Sequence, residues 1–233
     1  MDNRFLRTIG LIGEENFGKI QKSSVAVFGL GGVGSYAAEA LARSGVGTLY
    51  IYDNDTVCES NINRQLIALD STQNQLKTAV MKARLLDINP DINIYDNPIF
   101  ITPQSDIPFE NFDFIIDAVD NVTAKIFIAL KSQELAVPLI SVMGTGNKIH
   151  PENLKISDIY KTYECPLCKV MRTELKKRGI KKLMAVWSDE RPLKNLQSQE
   201  KTNTGRNAVS SMIFVPASAG LMAASYAIRE LIK

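Results

Sequence analysis

The chain has few of the residues that build thiol and imidazole chemistry. Its 233 residues include three cysteines, one histidine and one tryptophan. Three cysteines, an odd number, make no disulfide framework. Opposite charges nearly cancel, with 27 Lys and Arg against 25 Asp and Glu. No global field therefore marks the chain for nucleic acid or membrane, and a polyanion site has to be local. No run of 18 apolar residues occurs, which excludes a transmembrane helix and stable membrane association. The first ten residues carry basic side chains but no apolar segment and no cleavage site, so no signal peptide is expected. These absences suit a cytoplasmic, reducing location. No repeat or low-complexity linker divides the chain.

What is present is an ordinary globular composition, 45% apolar and 22% charged, sufficient for a core without staples. Ser24–Phe28 is a short β-branched run ending in glycines and reads as a buried parallel strand. Residues 34–44 follow with helical spacing, Ala37, Ala38, Leu41 and Ala42 forming a small-residue stripe. Thr48–Tyr52 is a second strand and Lys77–Ile88 a helix stopped by Asn89-Pro90. Strands are expected over 92–99, 112–119 and 139–143, with a helix over 123–135. Strand and helix alternate, so the fold expected is α/β, a Rossmann-like, doubly wound, mostly parallel sheet. Beyond residue 147 the pattern loosens. Short strands or turns are expected over 149–159, a basic helix over 168–178, a loop over 197–206 and an apolar helix over 215–232. The simplest organisation is one domain spanning 1–233, with a nucleotide-binding half to about 146 and a decorated half from 147.

Gly29-Leu30-Gly31-Gly32-Val33-Gly34 fits a dinucleotide fingerprint between a strand and a helix. Gly29, Gly31, Gly32 and Gly34 allow a tight turn and close approach of phosphate to helix amides. Asp53, at the end of the second strand and followed by Asp55, has the spacing of a ribose ligand. The fingerprint alone does not choose between NAD and ATP, and a ligand-free glycine turn is the plainest alternative. The run Ser60-Asn61-Ile62-Asn63-Arg64-Gln65 makes the choice. Arg64 and Lys77 can neutralise a triphosphate and a leaving pyrophosphate. Asn61 can donate an amide hydrogen bond. Asp120, with Asn121 after the FDFIIDAV strand, lies where an open α/β sheet binds ligands, and its carboxylate can hold Mg²⁺. Singly each has a bland explanation; an NAD dehydrogenase would leave Asn61, Arg64, Lys77 and Asp120 idle.

GLGGVG, YDND, SNINRQ, Lys77 and DAVDN together resemble the ThiF/MoeB/HesA superfamily, the ubiquitin-activating-enzyme-like adenylating proteins. Residues 11–14, 35–45, 144–151, 158–162 and 172–182 extend the resemblance to its tRNA threonylcarbamoyladenosine dehydratase group. The resemblance implies ATP and Mg²⁺ as cofactors. It implies ribose contact at Asp53, phosphate contacts at Asn61, Arg64 and Lys77, and metal at Asp120, with Gln65, Asp55 and Asn121 lining the site. It further implies a homodimer in which Arg4 or Arg7 reaches the partner's ATP. The implied reaction adenylates the carboxylate of threonylcarbamoyladenosine at tRNA position 37. A nitrogen or oxygen of its own urea group then closes the ring and expels AMP, and no protein nucleophile is needed. The rival within the superfamily adenylates the C-terminus of a ubiquitin-like sulfur carrier; a non-catalytic scaffold for a sulfur-transfer partner is the remaining alternative.

Cys165-Pro166-Leu167-Cys168 is a CxxC, but zinc asks for four ligands and only Cys58 and His150 remain. An inert thiol pair is the favoured expectation, ahead of a redox pair or half of a shared site. Cys58 reads as structural and His150 as a turn residue. Arg172, Lys176, Lys177, Arg178, Lys181 and Lys182 form a basic stretch. It is ordinarily a solvated face, and for a tRNA substrate it is the candidate phosphate contact. Tyr160, Tyr163 and Trp187 are the nearby aromatics.

Overall fold

The computed structural model describes residues 3–194 and 209–233. The loop expected over 197–206 lies outside them. Seven strands form one sheet: β1 (Ser24–Phe28), β2 (Thr48–Tyr52), β3 (Asn93–Asn97), β4 (Phe114–Asp117), β5 (Leu139–Val142), β6 (Leu154–Asp158) and β7 (Met184–Ser188). Their order is β3-β2-β1-β4-β5-β7-β6, parallel throughout except that β6 runs against β7. The chain builds outward from β1 through β2 to β3, then crosses back to lay β4 on the other side of β1. That reversal opens a crevice at the carboxyl ends of β1 and β4, where Phe28 pairs with Asp117.

Alternate side chains of each strand serve two cores. Val25, Val27, Leu49, Ile51, Phe114 and Ile116 face one side, together with α3 (Gly34–Arg43), α4 (Lys77–Ile88) and α7 (Phe214–Leu231). Ala26, Phe28, Tyr52 and Ile115 face the other, with α5 (Val122–Glu134) and α6 (Pro166–Lys177). Phe28 stacks on Tyr52 with ring centroids 4.5 Å apart, and the buried Tyr52 phenol is pushed well above its ordinary pKa by desolvation.

The small-residue stripe of α3 is fully buried, and its partner is a second small-residue face on α7, formed by Ala219, Gly220, Ala223 and Ala227. A β-carbon at Gly220 would overlap the Val33 carbonyl oxygen, so the two backbones touch there. Two N-terminal helices, α1 (Leu6–Ile12) and α2 (Glu14–Lys22), precede the sheet, and β7 lies between β5 and the edge strand β6; none of the three stands out in the sequence. Phe5 and Phe17 pack on one another at 5.3 Å and close on Gly45, while Gly47 abuts the backbone of Gln21. Gly45 and Gly47 precede β2, so this N-terminal segment covers the amino edge of the sheet, opposite the crevice.

Candidate active site

The glycine loop leaves β1 with Gly29 at φ +87°, a left-handed conformation. A β-carbon there would lie 2.8 Å from the Ala118 carbonyl oxygen, and one at Gly34 would overlap the Gly29 carbonyl. The loop is therefore pressed against the segment that follows β4. Gly31 and Gly32 face the 60–65 run: a β-carbon at Gly31 would sit 3.9 Å from Gln65 Nε2, and one at Gly32 3.4 Å from Arg64 Cγ.

Asp53 is the centre of the site's charge network. One carboxylate oxygen accepts from the Leu30 amide at 2.7 Å and the other from the Asp55 amide at 2.9 Å. Lys77 Nζ lies 3.8 Å from Asp53 and 2.8 Å from Asp55. Desolvation raises the Asp53 pKa, against the lowering by Lys77 and the two amides. A short antiparallel contact of Thr56 with Leu76 folds the chain back so that Lys77, the first residue of α4, meets Asp55. Buried Lys77 is thus held on an internal acid pair within reach of the glycine loop.

Asn61 is buried, its Oδ1 accepting from the Cys58 amide at 3.4 Å. Arg64 is half-buried and braced by the Ser60 carbonyl at 2.7 Å and Asn63 Oδ1 at 2.9 Å. Gln65 is buried beside Gly31, and its Oε1 has no hydrogen-bond partner among the described residues. A buried amide oxygen of that kind suits a hydrogen-bonding ligand over the loop.

The strand expected to run to residue 119 ends at Asp117. Asp120 follows on an exposed bend and Asn121 caps α5, accepting from Thr123 and Ala124 amides at 2.8 and 3.2 Å. A solvent-facing carboxylate beside a glycine loop fits Mg²⁺, which keeps most of its waters. Sequence reasoning missed Asp117, which is fully buried and bonded to Lys125 Nζ at 3.0 Å. Its partners come from α5 and β5, so no local motif signals it.

Arg4 and Arg7 are exposed on the N-terminal segment, at the amino edge of the sheet. The fold does not bring them to the glycine loop of their own chain. Cys58, read as structural, caps the turn Glu59–Asn61, and its exposed side chain has Sγ 3.3 Å from Ser60 Oγ. His150 does sit at a turn, exposed and paired with Glu152 at 2.8 Å.

Cys165 and Cys168 are buried at the start of α6, where the Cys165 sulfur accepts from the Cys168 amide at 3.5 Å. The Cys168 hydrogen bond, its amide, buried Lys148 and the Gly144 amide pull the Cys165 thiol down to about 6, while Cys168 is pushed up. In the basic stretch, Arg172 turns inward to Thr162, and Glu174 pairs with Lys177 and Arg178 at 2.7 Å each. Lys176, Lys181 and Lys182 remain exposed. Tyr163 is the exposed aromatic; Trp187 is buried against it.

The ThiF family matches residues 3–233 of this chain. The tRNA threonylcarbamoyladenosine dehydratase of Bacillus subtilis is 41% identical over all of this chain and 96% of that protein. The chain belongs to the ThiF family, within its tRNA threonylcarbamoyladenosine dehydratase group. The Escherichia coli tRNA N6-threonylcarbamoyladenosine dehydratase in complex with AMP superposes with a TM-score of 0.89 at 29% identity, covering 98% of this chain and 94% of that one. The same E. coli protein in complex with ATP gives 0.86 at 30% identity, over 98% and 93% of the two chains. The α/β fold expected of the sequence is therefore that of these dehydratases. No helix of the described residues is long and apolar enough to cross a membrane.

Proposed function

We propose that this ThiF-family protein is an ATP-dependent tRNA threonylcarbamoyladenosine dehydratase, acting in the cytoplasm as a homodimer. The observation that carries the ATP reading is the convergence of Asp53, Lys77, Arg64 and Gln65 on one glycine loop at the β1/β4 crevice. Full-length similarity to the B. subtilis dehydratase favours the tRNA substrate over a sulfur-carrier protein.

Gly29, Gly31, Gly32 and Gly34 admit the phosphates to the start of α3, and Asp53 binds the ribose. Asn61, Arg64 and Lys77 hold the triphosphate. Lys77 exchanges its carboxylate partners for phosphate oxygens as ATP binds. Asp120 would hold Mg²⁺, which when bound would supply charge neutralisation on the phosphates, and Asp55, Gln65 and Asn121 line the same cleft. The substrate carboxylate attacks the α-phosphorus, the bond to the β-phosphate breaks and pyrophosphate leaves, and Arg64 and Lys77 offset the negative charge that develops on the phosphates. Ring closure is intramolecular, so positioning of the acyl adenylate is the enzyme's remaining task. Arg4 or Arg7 of the second protomer completes the phosphate site. Lys176, Lys181 and Lys182, with Tyr163, form the tRNA-facing surface.

AMP release from MgATP, measured with tRNA carrying threonylcarbamoyladenosine and with tRNA lacking it, tests the reading. Release with the modified tRNA alone, and a nucleoside product lighter by one water, are expected. Release driven instead by a ubiquitin-like carrier would reject the tRNA assignment. Asp120→Ala is expected to abolish AMP formation with little change in fold, and normal turnover in that variant would reject the metal assignment.

A further inference from the structure

Asp117, Lys125 and Ser141 form a polar cluster that nucleotide binding does not account for. All three are buried, and the ion pair has no side-chain exposure at either end. Lys125 Nζ bonds to Asp117 Oδ2 at 3.0 Å, Ser141 Oγ at 3.3 Å and the Val142 carbonyl at 2.8 Å. Ser141 Oγ also donates to Asp117 Oδ2, and Asp117 Oδ1 accepts from the Val119 amide at 3.2 Å. A buried ion pair gains little stability over apolar residues of the same volume, so its presence asks for another reason.

The topology supplies one. The cluster ties three elements, β4, α5 and β5, at the carboxyl edge where the sheet order reverses. Between its anchors runs the segment 118–121. Ala118 N bonds to Phe28 O at 2.8 Å and the Ala118 carbonyl abuts Gly29. Val119 is held by Asp117, and Asn121 is held as the cap of α5. Asp120 is therefore an exposed carboxylate on a short segment clamped on both sides.

We propose that Asp117, Lys125 and Ser141 are positioning residues that fix the Asp120 carboxylate relative to the glycine loop, and so set the Mg²⁺ dependence of ATP binding. This inference rests on the assignment of Asp120 to Mg²⁺. The three touch no substrate atom; they act through the backbone of 118–121.

The test is the double variant Asp117→Leu/Lys125→Met, which replaces the pair by apolar volume and so separates stability from positioning. Two quantities are read: amide hydrogen exchange over 118–121 in the ligand-free protein, and ATP affinity by calorimetry with and without Mg²⁺. The expected result is a folded protein whose 118–121 amides exchange faster. Its Mg²⁺-free ATP affinity is unchanged, while the gain conferred by Mg²⁺ falls about 10-fold or more, as for other residues that orient a metal ligand. A folded double variant that keeps the wild-type Mg²⁺ gain overturns the proposal, whatever its exchange rates. Should the double variant not fold, Ser141→Ala decides: a smaller loss of the Mg²⁺ gain supports the cluster's role, and an unchanged gain overturns it. A wild-type protein that gains nothing from Mg²⁺ removes the Asp120 assignment and this inference with it, a failure visible before any variant is made.

Discussion

Lys77 stands on two carboxylates of its own chain, and that arrangement fixes what its loss should do. Its ammonium is buried between Asp53 and Asp55, so truncation both removes the proposed phosphate ligand and leaves Asp53 buried without its cation. Lys77→Met is expected to reduce AMP formation by ~10²- to 10³-fold, the usual cost of losing a charge-stabilising group, and to raise the Asp53 pKa further. Single-turnover AMP release checks the first effect; an unchanged rate would remove Lys77 from the chemistry. The Cys165 thiol offers a second measurement. With its pKa near 6 in the fold and about 8.5 unfolded, Cys165 lends stability that is full above the unfolded value and disappears as pH falls through about 6. In a Cys58→Ser background, thiolate absorbance near 240 nm should fall with a midpoint near pH 6, and Cys168→Ala should move that midpoint upward because the Cys168 hydrogen bond is the largest cause. A midpoint already above 8 in the starting protein would contradict the geometry. At this scale the sequence showed much of the candidate site, since Asp53, Asn61, Arg64, Gln65 and Lys77 cluster along residues 53–77 around one loop. Asp117 stayed hidden because its partners Lys125 and Ser141 are meaningful only once β4, α5 and β5 are adjacent.

The contact of α3 with α7 shows how elements separate by backbone fit. Gly220 lies where α7 touches the Val33 carbonyl, whereas Gly18, inside α2, has open space where a β-carbon would go. Gly220→Ala should push the helices apart and destabilise the protein by ~1–3 kcal/mol through overpacking. Gly18→Ala should stabilise it by ~0.5–1 kcal/mol, by reducing backbone freedom in the unfolded chain. Urea midpoints of the two variants should therefore move in opposite directions, and a neutral Gly220→Ala would deny the close contact. The Ala stripe of α3 was legible from spacing alone, but its partner on α7, some 180 residues later, was not. Strands with uninterrupted apolar runs, Ser24–Phe28 and Thr48–Tyr52, declared themselves fully. β7 did not, because Met184–Ser188 lies between polar stretches and no glycine turn closes it. The helix α1 was equally quiet: it buries no side chain, so it carries little of the periodicity that marks a helix.

For the whole molecule, the decisive relation is between the two edges of the sheet. The glycine loop, Lys77 and Asp120 occupy the carboxyl edge, and Arg4 and Arg7 the amino edge of the same chain. An arginine contribution to ATP from that segment therefore has to come from a second copy. On the proposed dimer two lesions separate by protomer: Lys77→Met is expected to inactivate the site of the chain that carries it, and Arg4→Ala/Arg7→Ala the site of its neighbour. Co-expressed with different tags and purified as the mixed dimer, one chain of each kind leaves both lesions in one site and the other site intact. The mixed dimer should regain about half the AMP-forming rate of the wild-type dimer, as expected of two equivalent sites related by symmetry, while each parental homodimer stays inactive. Were the arginines to serve their own chain, each site of the mixed dimer would hold one lesion and no activity would return. A fully active Arg4→Ala/Arg7→Ala protein would show that neither arginine takes part, and the shared site would be rejected with it.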